Sequence, residues 1–357
     1  MDFESIAIIN QAHLMITFTN FGYLNDREVL LFKLKNNSGA FVEVTNYGAG
    51  IVAAMVPGKE DKLEHVIAGF DNLQAYIDDK CYMGSTIGRF ANRIGKASFY
   101  LGDKQYFVEV NDNANSNHGG TSGYNYSLFD YKIEDDKLFF RLYSPDGDGG
   151  YPGNLALTVS YEWTEDNQLK ITYLATTDQL TVANFTNHAY FNLSGKENSV
   201  LDHRLTIYAD QVLKTDEEYI PTGEIIPAGK KAFSADRIDN KISINNGVGF
   251  NDYYIFNNKA DKVKLAAVLD HEASGRRLNV YTTYPGLMFY TGDYLNSTAP
   301  GHLSKPYKPF DGLCLECQFY PDAPNHGSFP STVLKPGEQY KEEIVYEFTL
   351  IPNGFEK

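Results

Sequence analysis

Cysteine is nearly absent from this 357-residue chain. Cys81, Cys314 and Cys317 make an odd total, which argues against a disulfide framework and fits a reducing compartment. Long apolar runs are missing too, and nothing approaches the roughly 20 residues that a helix needs to span a bilayer, so no membrane partner is expected. Basic residues are the minority, 31 against 46 acidic for a net charge of −15, and they form no run. The electrostatic footprint of a nucleic-acid binder is therefore lacking. The opening stretch MDFESIAIINQAHLMITF starts acidic and has neither the basic start nor the small-residue cleavage site of a secretory signal. We expect a soluble, cytoplasmic protein.

Metal and phosphate signatures are likewise missing. Cys314-Leu-Glu-Cys317 is formally a C-x-x-C pair, but no second pair exists, and positions three apart on a strand face opposite ways. Two packed thiols are expected there. His13, His65, His203, His271, His302 and His326 show no ligand spacing of the H-E-x-x-H kind, and the glycine-rich runs lack the context of a phosphate cradle.

What is abundant is tyrosine and phenylalanine, 26 and 23 residues, within a pattern of period two. Tyrosine gives a wall an apolar face and a polar tip, which suits a site for a polar ligand. NLALTVSYEW puts Leu155, Leu157, Val159, Tyr161 and Trp163 on one face; after the break TEDN, QLKITYLA does the same with Leu169, Ile171, Tyr173 and Ala175. That predicts a hairpin. ASFYLGDKQYFVEV, KLFFRLY, FVEVTN and GRRLNVYTT add further strands, whereas DNLQAYI and FSADRI predict at most a turn or two of helix each. The fold class expected is all-β, a large antiparallel β-sandwich with few short helices.

Polar clusters interrupt these strands: GSTIGRFANRIG (Gly84 to Gly95), NSNHGG (Asn115 to Gly120), SPDGDGGYPG (Ser144 to Gly153), TNHAYFNLSG (Thr186 to Gly195), GFNDYY (Gly249 to Tyr254), YPGLMFYTGDYL (Tyr284 to Leu295) and LCLECQFYPDAPNH (Leu313 to His326). All fall at strand ends or turns, where side chains can converge over one face. In this order they resemble the galactose mutarotase (aldose 1-epimerase) family, through Gly-Arg-x-Ala-Asn-Arg-Ile, Asn-x-x-His-Gly-Gly, Ser-Pro-Asp-Gly-x-x-Gly-Tyr-Pro-Gly, Thr-Asn-His-x-Tyr-Phe-Asn-Leu and Leu-Glu-x-Gln. The resemblance runs from about Phe21 to the C-terminus. It implies one mutarotase-type sandwich over residues 21–357, preceded by an extension of residues 1–20.

The resemblance also implies an activity, interconversion of the α and β anomers of a free hexose, and its residues. The general acid would be His188 and the general base Glu316; Asn92, Arg93 and His118 would bind the sugar, with Tyr190, Asn251 and Met288 beside them. Two positions depart from the family pattern. Asn251 stands where an aspartate is usual and Met288 where a glutamine is usual, which puts the identity of the sugar, rather than the reaction, in question.

The chemistry can be judged without the name. A hemiacetal opens when its anomeric hydroxyl loses a proton while the ring oxygen gains one, so a base and an acid must each reach one oxygen. Burial would raise the glutamate, and a neighbouring carboxylate would help keep the histidine protonated. The reaction requires no metal, nucleotide or electron carrier, and a monosaccharide is the expected partner. A homodimer is compatible with the sequence but not indicated by it.

Each residue also has a plainer explanation. A lone histidine such as His188 is more often a hydrogen-bonded member of a sheet, Glu316 could form a structural salt bridge with an arginine, His118 could cap a loop, and Arg89 could support a turn. Two other functions stay open at this point: a non-catalytic carbohydrate-binding or regulatory protein, and a glycoside hydrolase, which would need a second carboxylate such as Asp146, Asp148 or Asp252.

Overall fold

The computed structural model describes residues 15–195, 199–256, 262–302 and 305–352. Three antiparallel sheets carry the architecture. The largest has nine strands, in the spatial order Asp130–Glu134, Lys137–Ser144, Leu155–Trp163, Gln168–Thr177, Tyr340–Leu350, Arg276–Thr282, Lys264–His271, Arg204–Ile207 and Asp236–Arg237. Its centre contains the predicted hairpin in the predicted register, with Trp163 opposite Leu169, Tyr161 opposite Ile171, Val159 opposite Tyr173 and Leu157 opposite Ala175. The alternation decides which face is inside: these side chains are all buried and the residues between them are not.

A five-stranded sheet takes up the N-terminal part, from Met15–Leu24 to Leu63–His65. Residues 1–14 lie outside the described residues, but the boundary expected near residue 20 falls inside a continuous strand: Met15 to Asn20 pair with Lys35 to Leu30. Ile16 and Phe18 alternate toward the core, and Phe18 packs on Phe32 with ring centroids 5.6 Å apart, so this segment joins the sandwich.

The third sheet has six strands, ordered Tyr190–Phe191, Leu313–Gln318, Gly286–Tyr290, Asn251–Ile255, Gln211–Thr215 and Pro221–Pro227. Its Leu287, Phe289, Leu313, Leu315 and Cys317 join one apolar core with Phe32 and Val42 of the five-stranded sheet and with Leu157, Val159 and Tyr161 of the nine-stranded sheet. Each buried apolar side chain of this size contributes about 1.5–3 kcal/mol, so the core is the main source of stability.

Among the described residues, α-helix is confined to two short pieces. Leu73–Asp78 starts where Asn72 caps the Ala75 N–H, as DNLQAYI predicts. FSADRI, in contrast, is not helical before its last residue. Its Asp236–Arg237 extends the nine-stranded sheet, and the helix begins only at its last residue, the buried Ile238, and runs to Ile244. Neither is long and apolar enough to cross a membrane.

Candidate active site

The register of the six-stranded sheet builds the floor of a cleft. Tyr190 pairs with Cys314, Cys314 with Tyr290, and Tyr290 with Asn251, forming one row across four strands. Two residues along, Glu316, Met288 and Tyr253 form the next row. Residues directly opposite in a sheet share a face, so the alternation that sends Leu315 and Cys317 into the core turns Cys314 and Glu316 toward the cleft. The two cysteines of the C-x-x-C pair therefore face opposite ways, and all three thiols are free.

Loops bring the remaining groups over this floor. His188 lies between the strand pairs Thr186–Asn187 and Tyr190–Phe191, its N–H donating to the Ser85 carbonyl at 2.9 Å. Asn92 and His118 hold each other: the His118 N–H donates to the Asn92 carbonyl, and the Asn92 N–H donates to Nδ1 of His118 at 3.3 Å. Asn184, fully buried, ties this region to the Glu316 strand by donating to the Ala91 and Phe319 carbonyls and accepting the Phe319 N–H. Asn92, His118 and Tyr82 all have φ between 54° and 66°, a left-handed backbone uncommon outside glycine. Three such residues around one cavity are the kind of stored strain that collects at functional sites.

The cavity, about 220 Å³, is on the scale of one sugar ring. Every residue that the resemblance assigns to the site lines it: Asn92, Arg93, His118, His188, Tyr190, Asn251, Met288 and Glu316. Lys80, Cys81, Tyr82, Asn117, Tyr219, Tyr290 and Tyr294 complete the wall. Of these, Tyr290 follows from the alternation through Met288. Tyr82 and Tyr219 are loop residues that no periodicity or motif marks. The loop of Tyr82 is shaped by Asp79, whose carboxylate accepts the Cys81 and Met83 N–H groups at 3.1 and 2.8 Å.

Several polar clusters lie elsewhere. SPDGDGGYPG wraps Arg89, whose buried guanidinium donates to the Ser144, Pro152 and Gly153 carbonyls at 3.1, 2.9 and 2.9 Å. Arg89 thus supports a loop, as its plainer reading has it. Asp252 is paired with Lys231 at 2.6 Å and Asp148 accepts the Ser144 hydroxyl, so neither provides the second carboxylate of a hydrolase.

At the centre, one nitrogen or oxygen from each of His118, His188 and Glu316 lies within 4.8 Å of the others. Glu316 Oε1 is 3.6 Å from Nε2 of His188, and Oε2 has no hydrogen-bond partner among the described residues. Arg93 is not its salt-bridge partner, because its Nε donates to Asp112 at 2.7 Å. Burial pushes Glu316 up to about 8, with Arg93 pulling weakly the other way, and burial pushes His188 down to about 4. The glutamate moves as the sequence suggests. The histidine does not, because removal from water outweighs the hydrogen bond to its own backbone carbonyl, the opposing influence.

Hydrogen-bond roles decide whether this cluster fits a metal. Nδ1 of His118 accepts a backbone N–H, so the neutral ring carries its hydrogen on Nε2 and offers a ligand a donor, not a lone pair. The same logic applies to Asp202, His203 and His271, whose ligand atoms also converge. There Nε2 of His203 accepts the Leu193 N–H at 2.9 Å, which places its hydrogen on Nδ1, facing Asp202 at 3.0 Å. Both clusters are hydrogen-bonded assemblies and poor ligand sets.

A second cavity, about 160 Å³, is bounded by Lys59, Lys62, Glu64, His271 and Arg276. Its Lys62 and Arg276 are spent on Glu64, at 2.9 Å each.

Residues 31–347 match the family model for aldose 1-epimerase. Galactose mutarotase of Mus musculus is 37% identical over 345 residues, covering 94% of this chain and 99% of its own. Aldose 1-epimerase of Escherichia coli is 34% identical over 333 residues, covering 89% and 94%. Among solved structures, an aldose epimerase homologue from C. elegans superposes with a TM-score of 0.83 at 28% identity, covering 88% of this chain and 97% of its own.

Proposed function

The chain belongs to the aldose 1-epimerase family, and on that premise we propose that Glu316 and His188 share one proton and pass it through a bound aldose as its ring opens and closes. With the closed sugar bound, ionised Glu316 takes the proton of the anomeric hydroxyl while protonated His188 gives one to the ring oxygen. The product is the open aldehyde beside a neutral carboxyl and a neutral imidazole. Rotation about C1–C2 presents the other face, and the two transfers run backward. Total charge in the cavity does not change at any step.

The carrying observation is the opposite displacement of two enclosed groups 3.6 Å apart, the carboxyl up to about 8 and the imidazole down to about 4. Low dielectric favours the neutral pair over the ion pair, and the neutral pair is the partner of the open-chain aldehyde. Burial therefore favours the high-energy state of the sugar. Arg93, which pulls Glu316 down, and hydroxyls of the closed ring support the ionised form that must start the cycle.

The other wall residues bind the sugar. His118 offers an Nε2–H donor, Arg93 a guanidinium fixed by Asp112, and Tyr82, Tyr190 and Tyr290 apolar faces. Asn251 and Met288 lie on neighbouring strands in adjacent rows, Met288 directly opposite Glu316, so both touch the ring being discriminated. Met288 provides no donor. We therefore place the choice between galactose and glucose on this pair of residues.

A protein that only bound sugar would gain nothing from an enclosed carboxyl with an unpartnered oxygen beside an enclosed imidazole. We take the working unit to be a single sandwich that includes the strand Met15–Leu24, in the cytoplasm, where three unpaired thiols are at home. Polarimetry of freshly dissolved α-galactose and α-glucose at low temperature tests this reading. The protein should speed the approach to an unchanged final rotation, and Glu316→Gln should abolish the effect. Equal rates with and without protein for every aldose tried would refute it.

A further inference from the structure

The antiparallel pairing of Tyr190 with Cys314 and Phe191 with Leu313, carried on along both chains, sets His188 beside Glu316 and, in the next row, Thr186 beside Gln318. The first of these neighbours are in the 3.6 Å contact already described. The flanks of Thr186 fix its direction: Phe185 packs on Tyr340 with ring centroids 5.0 Å apart and Asn187 donates to the Gly84 carbonyl, so Thr186 turns the other way, with His188. Gln318 is two residues beyond Glu316 on the same face of their strand. The nearby Tyr253 hydroxyl donates to the Gln318 backbone carbonyl at 2.8 Å, so it is not a partner of the amide. Thr186, Glu316 and Gln318 are all buried, and among the described residues neither end of the Gln318 amide, nor the Thr186 hydroxyl, nor Oε2 of Glu316 has a hydrogen-bond partner. Buried polar atoms of native proteins are nearly all hydrogen-bonded, so unpartnered atoms gathered in two adjacent rows call for a shared partner.

We propose that Thr186 and Gln318 are positioning residues that hold one enclosed water against Oε2 of Glu316. An enclosed water needs roughly two to four polar partners, and this block provides a carboxyl oxygen, a hydroxyl and an amide. The water accepts the Nε2–H of Gln318 and gives its two hydrogens to the Thr186 hydroxyl and to Oε2 of Glu316. The carboxyl is then pinned from behind, with Oε1 kept toward His188 and the sugar. A donor behind Oε2 also favours the ionised form that starts the cycle, since hydrogen bonds to a charged oxygen are the stronger ones. Neither Thr186 nor Gln318 borders the sugar cavity, so both act through Glu316.

The inference rests on the acid–base reading of Glu316, and its test keeps the two apart. A high-resolution crystal structure of the wild type should show one ordered water within hydrogen-bond distance of all three side chains; a Gln318 amide bonded to protein groups alone would overturn the proposal. Carbon-13 NMR of glutamate-labelled protein follows the Glu316 carboxyl, assigned by its loss in Glu316→Gln, whether or not a sugar turns over. Gln318→Met and Thr186→Val stay close in volume and remove the polar groups. Each should move the Glu316 midpoint upward from about 8, by about half a pH unit to one, and lower kcat about three- to tenfold with KM near wild type. Thr186→Ser keeps the hydroxyl and should leave both readings near wild type. The other titratable and charged groups around Glu316 are His188, His118 and Arg93 in the cavity, Cys314 and Cys317 on its own strand and Tyr346 of the nine-stranded sheet. None of them is altered in these variants, so a moved midpoint reports the groups behind the carboxyl. An amide without a partner gives the opposite pattern: methionine would raise the thermal midpoint and leave the Glu316 titration in place, and that result would refute the proposal. Should the midpoint move while no protein, wild type or variant, accelerates any aldose, the acid–base reading fails and the water site stands.

Discussion

Replacing Glu316 by glutamine should make the protein more stable as it makes it inactive, and the gain should grow with pH. The carboxyl keeps its proton up to about 8 in the folded state against 4.5 when exposed. A folded value above the unfolded one means that the folded state holds the extra proton. Its stability is then complete below 4.5 and is lost as pH rises from there through about 8, because the unfolded chain ionises first. At about 1.4 kcal/mol per pH unit the whole interval is worth ~5 kcal/mol as a ceiling, and we expect about 2–4 kcal/mol to be seen. Glutamine has the same shape and no charge to lose. Urea unfolding of both proteins at pH 5 and pH 8.5 reads the difference: near-equal stability at the lower pH, and an advantage for the variant at the higher. Activity should fall by about 10²- to 10⁴-fold, the usual worth of a general acid–base group. Stability curves that stay parallel across this range would mean that Glu316 is ionised in the resting site, and the reasoning from burial would be wrong.

Arg93→Ala removes the charge that pulls Glu316 down, so the upper limit of the pH–rate profile should move above about 8 while KM rises. His118→Ala should raise KM for the preferred aldose about tenfold through loss of one hydrogen bond near charged groups, and kcat should change less; steady-state polarimetry separates the two. Arg89→Met should act on stability alone. It strands the Ser144, Pro152 and Gly153 carbonyls in a buried loop, and we expect a loss of about 3 kcal/mol by denaturant unfolding with KM unaffected.

The strands of this fold are legible because one face of each is dry. Leu155 to Trp163 and Leu169 to Ala175 alternate so strictly that both hairpin and register follow. Glu316 is legible for the same reason, as a charge at a position whose neighbours Leu315 and Cys317 belong to the core. Tyr82 and Tyr219 are not, since loop geometry rather than periodicity aims them at the cavity. The short helix Ile238–Ile244 is hard to read because seven residues hold a single i, i+4 apolar pair, Ile238 and Ile242, too short a stripe to establish a period. The protonation of His188 departs from expectation because a sequence names the ring and the carboxylate and not the depth at which both are enclosed.

The most direct measurement is the pH dependence of kcat/KM for the preferred aldose. One proton shared by the pair requires a bell, falling below about 4 as His188 gains a second proton and above about 8 as Glu316 loses the last one. A broad plateau between those limits, lost in Glu316→Gln, is the expected result. A single midpoint near the ordinary histidine value of about 6.5, with no decline on the alkaline side, would contradict a shared proton held by burial.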